Sequence, residues 1–194
     1  MIKKDLSEKI LKNYNDVIAD IAKNKTMYDG PPKSWKSISE NFQKDQLSVI
    51  NPKRNIGNGY RQNCVNCVIA YDLRQRGYDV IAKSKYECNV SRKANKLWNN
   101  VMELRAHSID EILNTIDISI NARYFLGVKY EDNNGHAMVL SVFERKVTIL
   151  DPQNGSQINI ANLRKTNLIN QFSYWRIDNL EVSQTGFNAC KGRC

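Results

Sequence analysis

At 194 residues, 41% of them hydrophobic and 25% charged, the chain has the size of one domain and enough apolar material for a real core. No apolar run is long enough for a membrane span, and the first twenty residues carry too many charges for a cleavable leader. The net charge of +9 is dispersed. No window is densely basic and Arg74-Gln75-Arg76 reads as the polar face of a helix, which predicts a mild, non-specific preference for acidic partners or phosphate and no specific nucleic-acid site.

Residues 5–24 place Leu6, Ile10, Tyr14, Val17, Ile18 and Ile21 at helical spacing, and the turn chemistry of Gly30-Pro31-Pro32 ends that helix. A shorter helix is expected over 37–45, burying Trp35, Ile38 and Phe42. Residues 1–50 thus read as an N-terminal helical extension, either a partner-binding arm or a cover for the core, with the cover favoured. A flexible loop from Asn51-Pro52 to Gly59 leads to Gln62-Asn63-Cys64, where a central helix begins and runs to about Arg76. Its apolar positions are Val65, Val68, Ile69, Tyr71 and Leu73, with Asn63 as N-cap and Gly77 as the residue after the C-cap.

A short strand is expected over 78–82 and two helices over 91–122. Strands follow over 123–129, 136–143 and 146–150, the last two joined by a tight Glu144-Arg145 connection that lacks the usual Asn-Gly signal. A short element starts near Ile158, and a final strand covers 172–180. Helices first and an antiparallel sheet afterwards make the class α+β. Residues 51–182 form the expected catalytic domain, and 183–194 a C-terminal tail.

The chain has only two histidines, and His136 opens an apolar strand. Asp151 ends the next strand, in Asp151-Pro152-Gln153-Asn154-Gly155, and Cys64 stands at a helix start. A free thiol has a pKa of about 8.5, which a helix N-terminus and a neighbouring imidazolium bring down to roughly 3.5–7.5. Unpaired N–H groups at the helix start supply such a field and a candidate oxyanion hole. His136 suits the general base and acid, and Asp151 the group that orients it. Separately, a cysteine on an apolar helix is usually a small core residue, a strand histidine a satisfied polar group, and an Asp before Pro a turn former. Their joint order, on these elements, favours cysteine nucleophilic catalysis. Cys67, one helical turn on, is a buried neighbour, a resolving thiol or the nucleophile itself; the helix-start position favours Cys64.

Asn51-Pro52, Asn63-Cys64-Val65-Asn66-Cys67-Val68-Ile69-Ala70-Tyr71, Arg76-Gly77-Tyr78-Asp79-Val80, Gly135-His136-Ala137 and Asp151-Pro152-Gln153-Asn154-Gly155 resemble the papain-fold toxin family of glutamine-deamidase type (Tox-PL), over about residues 50–180. The resemblance implies a papain-like fold with the Cys64 helix packed on the sheet that carries His136 and Asp151. It also implies a bacterial toxin, effector or phage-associated hydrolase that converts a target protein's glutamine to glutamate through these three residues. Asn63, Gln62 and Gln153, the last matching the family's Asp-Pro-Gln, are the expected oxyanion or substrate-binding residues. The implied partners are a protein with an exposed glutamine, and an immunity protein or phage particle, without cofactor or metal.

Five cysteines preclude a complete set of internal disulfides and point to a reducing, cytoplasmic setting in host or target cell. Rival readings stand beside the deamidase, among them a thioredoxin-like redox role for the Cys64–Cys67 pair, disfavoured because no clear strand precedes it. Cys64 and Cys67 with Cys190 and Cys194 make a four-cysteine zinc site, although the second pair has a wider gap and sits at the chain's end. A papain-like protease shares the acyl-thioester chemistry, and a phage structural protein keeps the fold without catalysis. Outside the zinc reading, Cys190 and Cys194 are expected to be exposed tail thiols.

Overall fold

The computed structural model describes residue 31, residues 35–37 and residues 47–193 except residue 167. The helix expected over 5–24 and all but the first residue of the one over 37–45 lie outside them. Ser37 itself forms an antiparallel bridge with Tyr78, and Trp35 packs edge-on against Tyr78 and Phe187. Residues 33–194 make one compact unit. Ile50 is fully buried.

Helix α1 (Cys64–Gln75) contains no glycine or proline, and its residues from Val65 to Arg74 are all buried. Gly77, at φ +97°, ends it. The Gly77 N–H donates to Arg74 O at 2.9 Å and the Tyr78 N–H to Leu73 O at 3.1 Å, the paired bonds that a left-handed residue after the C-cap makes possible. Strand β1 (Val80–Ala82) follows.

The two helices expected over 91–122 shrink to a 3₁₀ turn at Ala94–Lys96 and helix α2 (Ile109–Thr115), with strand β2 (Leu104–Ala106) between them. Asn100 adopts φ +58°, which interrupts helical continuity. Ser108 then caps α2: its Oγ accepts from the Glu111 N–H at 3.1 Å, and the Glu111 carboxylate accepts from the His107 N–H at 2.7 Å.

The sheet strands are β3 (Ala122–Tyr130), β4 (Gly135–Phe143), β5 (Lys146–Asp151), β6 (Ser156–Ile158) and β7 (Ile169–Arg176), with helix α3 (Ile160–Lys165) before β7. Strands β2-β7-β3-β4-β5-β6 form one antiparallel sheet in that order. The expected strand over 172–180 stops at Arg176 and is not the last one. Helix α4 (Gln184–Asn188) and strand β8 (Cys190–Gly192) follow, and β8 pairs with β1. The expected tail is therefore part of the fold, and Cys190 is buried, correcting its reading as an exposed thiol.

Strand alternation sorts the two faces of the sheet. Leu126, Val128, Met138, Leu140, Ile149, Phe172 and Tyr174 pack with Ile109 and Ile112 of α2, and with Ile160 and Leu163 of α3 at the edge. Each large apolar side chain buried there contributes roughly 1.5–3 kcal/mol. An exposed ion pair such as Arg164–Asp110 adds only about 0–1 kcal/mol. The opposite face carries Arg123, Phe125 and Trp175 towards α1. Asp72 of α1, fully buried, accepts from Trp98 Nε1 at 2.9 Å, Arg76 Nε at 2.9 Å and Arg123 Nη2 at 3.0 Å, while Trp98 packs edge-on against Phe125 and Trp175. This cluster fixes the helix that begins at Cys64 against the sheet that begins β4 at Gly135. The architecture is α+β.

Candidate active site

The first intrahelical hydrogen bond of α1 runs from the Cys67 N–H to Asn63 O at 3.0 Å. The amides of Cys64, Val65 and Asn66 therefore lie ahead of it, at the positive end of the helix dipole. Cys64 is partly exposed and lines a cleft of about 860 Å³ together with Gln62, Val65, His136 and Gln153. Cys67 is fully buried, donates its thiol to Asn63 Oδ1 at 3.4 Å, and burial pushes its pKa well above the ordinary range. Of the two thiols, only Cys64 opens on the cleft.

His136 is the second residue of β4, and Asp151 the last of β5. Continuing the β4–β5 register by one residue sets Asp151 opposite Met138, one same-face step from His136. His136 Nε2 lies 2.9 Å from Asp151 Oδ2. An ionised carboxylate only accepts, so Nε2 carries a proton and Nδ1 is the nitrogen left for Cys64. Burial works against a charged ring at His136. Hydrogen bonds to Asp151 and Cys64, with their charges, more than offset it and carry the pKa up to about 10. Burial likewise disfavours the charge on Asp151, but its bond to His136 and the backbone N–H groups of Asn154 and Gln153 hold the carboxyl below its usual value. The turn after Asp151 thus places two amides on Oδ1 and leaves Oδ2 for His136 and the Asn154 side chain.

Asn63 does not cap α1 with its side chain. Its Oδ1 accepts from Gln153 Nε2 at 3.2 Å and Asn51 Nδ2 at 3.3 Å, and its Nδ2 donates to Lys83 O at 2.9 Å. Tertiary partners have taken the groups a cap would use. At 2% exposed, the Asn63 side chain is enclosed by these partners. Gln153 is tied to Asn63 while still bordering the cleft. Gln62 is exposed on the rim, where its Oε1 accepts from Lys85 Nζ at 3.0 Å.

The loop over 51–59, expected to be flexible, is pinned by Asn51. This buried side chain donates to Tyr60 O at 2.8 Å and to Gln153 O at 3.2 Å. Sequence reasoning quoted Asn51 in a motif without giving it a task. Its one local signal is an amide beside Pro52 in an otherwise polar loop. Asn66 was missed too: from inside α1 it donates to Lys83 O and Cys88 O.

Comparisons with family models, curated proteins and solved structures find no match to this chain. The chemistry must therefore be argued from the site itself. Among the described residues no group of three or more His, Cys, Asp or Glu is arranged to hold a metal ion. Of the four cysteines in the zinc reading, Cys194 lies outside them, Cys67 is committed to Asn63, and Cys190 is buried in β8. Among the described residues no helix is long and apolar enough to cross a membrane.

Proposed function

We propose that this protein is a cysteine amidohydrolase with a papain-like arrangement, deamidating glutamine side chains of a target protein as the resemblance to the Tox-PL family implies. The observation that carries the reading is the His136 Nε2–Asp151 Oδ2 contact at 2.9 Å, with His136 and Cys64 lining the same open cleft at the start of a buried helix.

His136 holds as imidazolium the proton drawn from the Cys64 thiol, and Sγ attacks the carboxamide carbon of the target glutamine. The oxyanion that forms faces the open amides of α1. The His136 imidazolium, held by Asp151, protonates the departing nitrogen, and ammonia leaves a thioester on Cys64. Water, deprotonated by His136, attacks that thioester. Collapse releases glutamate and restores the thiol, so the sum is carboxamide plus water giving carboxylic acid plus ammonia.

Incubating the full chain with a library of glutamine-containing peptides, with ammonia assay and mass spectrometry, tests this. Deamidation adds about one dalton and leaves the backbone whole. Cleaved peptides would replace this reading with the protease, and no change in any peptide, with a Cys64 as slow to alkylate as the buried thiols, would remove the enzymatic reading.

A further inference from the structure

The cleft beside Cys64 is far more one-sided in charge than the chain around it. Residues 55–194 carry 18 Lys/Arg and 13 Asp/Glu. Four of those bases, Arg61, Lys85, Arg92 and Lys129, line the cleft, against one acid, Glu103. Glu103 is already met by Arg105 at 3.3 Å. Among the described residues none of the four bases forms an ion pair, and Lys85 spends a hydrogen bond only on the neutral Gln62. They come from separate places: the approach to α1, the segment after β1, the residues before the 3₁₀ turn, and the end of β3. No window of sequence is densely basic, because the fold and not the local sequence brings these charges together.

The floor between them is smooth. Ala137 of β4, Gly127 of β3 and Ser173 of β7 lie in register across three strands. A Cβ at Gly127 would meet Ser173 Oγ at 2.7 Å and the Phe125 ring at 3.0 Å, so the row has no room for a larger residue there. The Phe125 and Trp175 rings, stacked at 4.1 Å, border one side of the row. A cleft with one sign of charge above low-dielectric walls concentrates its field on whatever enters.

We propose that this cleft selects an acidic stretch of the target polypeptide, presenting the glutamine to Cys64 between flanking carboxylates; the identity of the central side chain rests on the amidohydrolase reading. The carboxylates of an extended chain lying over the Ala137–Gly127–Ser173 row would face Arg61, Lys85, Arg92 and Lys129, which line the same cleft. A peptide fits better than a nucleic acid because the site pairs its bases with a thiol, an imidazole and a narrow floor.

The test uses the full chain carrying Cys64→Ala, so that binding is read without turnover. Identically labelled short peptides with a central glutamine flanked by glutamates, serines or lysines are compared by fluorescence anisotropy, with oligothymidylate as competitor. The glutamate peptide should bind about tenfold tighter than the serine one at low salt, with the gap closing as salt is added. Arg92→Glu and Lys129→Glu, both at exposed positions, should reverse the order. Equal binding of the three peptides, or displacement by oligothymidylate at equal charge, overturns the proposal. Tight binding of the glutamate peptide to Cys64→Ala, without ammonia release by the wild type, would sustain the cleft's selectivity while removing the amidohydrolase.

Discussion

Gln153 Nε2 donates to Asn63 Oδ1 at 3.2 Å, so the residue before Cys64 and the residue two past Asp151 share one hydrogen bond. The same oxygen accepts from Asn51 and Cys67, and Asn51 closes the cluster onto Gln153 O. The thiol and the carboxylate come from segments far apart in sequence, and buried amides set their spacing. Helix and strand geometry alone would leave that spacing loose.

Asn51→Ala should therefore damage both stability and activity. It leaves the Tyr60 and Gln153 carbonyls and the Asn63 amide short of partners, at a cost of about 1–3 kcal/mol in urea unfolding. A displacement of about 1 Å between reacting groups costs on the order of a hundredfold in kcat. Urea midpoints and ammonia release measure the two effects. A variant with wild-type kcat would show that the cluster does not position the site.

Cys64→Ala and His136→Ala should each remove activity to background, at least about 10⁴-fold, while far-ultraviolet dichroism stays that of the folded chain. Asp151→Asn should cost about 10³–10⁴-fold, because the ring keeps its place but loses the charge that holds its tautomer. Peptide deamidation rates on purified variants decide the order. An active Cys64→Ala would reassign the nucleophile.

How much of this could be read in advance follows the range of the interactions. Helix α1 and strands β3 to β5 were legible because their apolar periods are long and local. Strand β2 has three residues, two of them exposed, and strand β8 pairs Gly192 with Val80 over more than a hundred residues. No local pattern marks either. The Cys64, His136 and Asp151 set was legible as residue types in a workable order. The task of Asn63 was not: a good N-cap residue was recruited by Gln153, Asn51 and Lys83, all distant in sequence. The Cys67 ambiguity had the same origin, since spacing on a helix says nothing about which thiol meets solvent.

The raised His136 pKa has a definite pH signature. A ring whose folded value, about 10, exceeds its ordinary 6.5 adds stability that is fully present below 6.5 and is lost as pH rises through about 10. The melting-temperature gap between wild type and His136→Gln should thus narrow over that window. Asp151 is held low, so its contribution should persist above pH 3.8 and fade only as pH falls through its lower folded value. Activity should decline on the alkaline side as His136 loses its proton, and Asp151→Asn should move that limb to lower pH. A limb unmoved by Asp151→Asn would mean that another group sets it.

In the native protein iodoacetamide should modify Cys64 first, with Cys67 and Cys190 reacting only after unfolding, since both are buried and burial raises the pKa of each. Cys67→Ala should keep activity within a few-fold, and its loss of stability should be about 1 kcal/mol or less because only one weak thiol bond and a small volume are removed. Peptide mass spectrometry of timed labelling reads the order directly. Native Cys67 labelling at the rate of Cys64 would overturn the burial assignment.

The β4–β5 hairpin offers a stabilising change away from the site. Glu144 and Arg145 take φ of +49° and +62°, the left-handed pair that a two-residue connection requires for its twist to match the strands. Neither is glycine or asparagine, so the turn carries backbone strain, held in place by the flanking β4–β5 ladder and by the Glu144 N–H donating to Asn121 Oδ1 at 2.9 Å. Substituting Glu144→Asn and Arg145→Gly keeps that N–H and relieves the left-handed strain at both positions. The added freedom of glycine in the unfolded chain offsets part of the gain. The net should be about 0.5–1 kcal/mol of added stability, seen as a higher urea midpoint at unchanged slope, with deamidation rates unaltered because the turn lies at the end of β4 away from His136. A lower midpoint would mean that Glu144 and Arg145 make side-chain contacts worth more than the strain they carry.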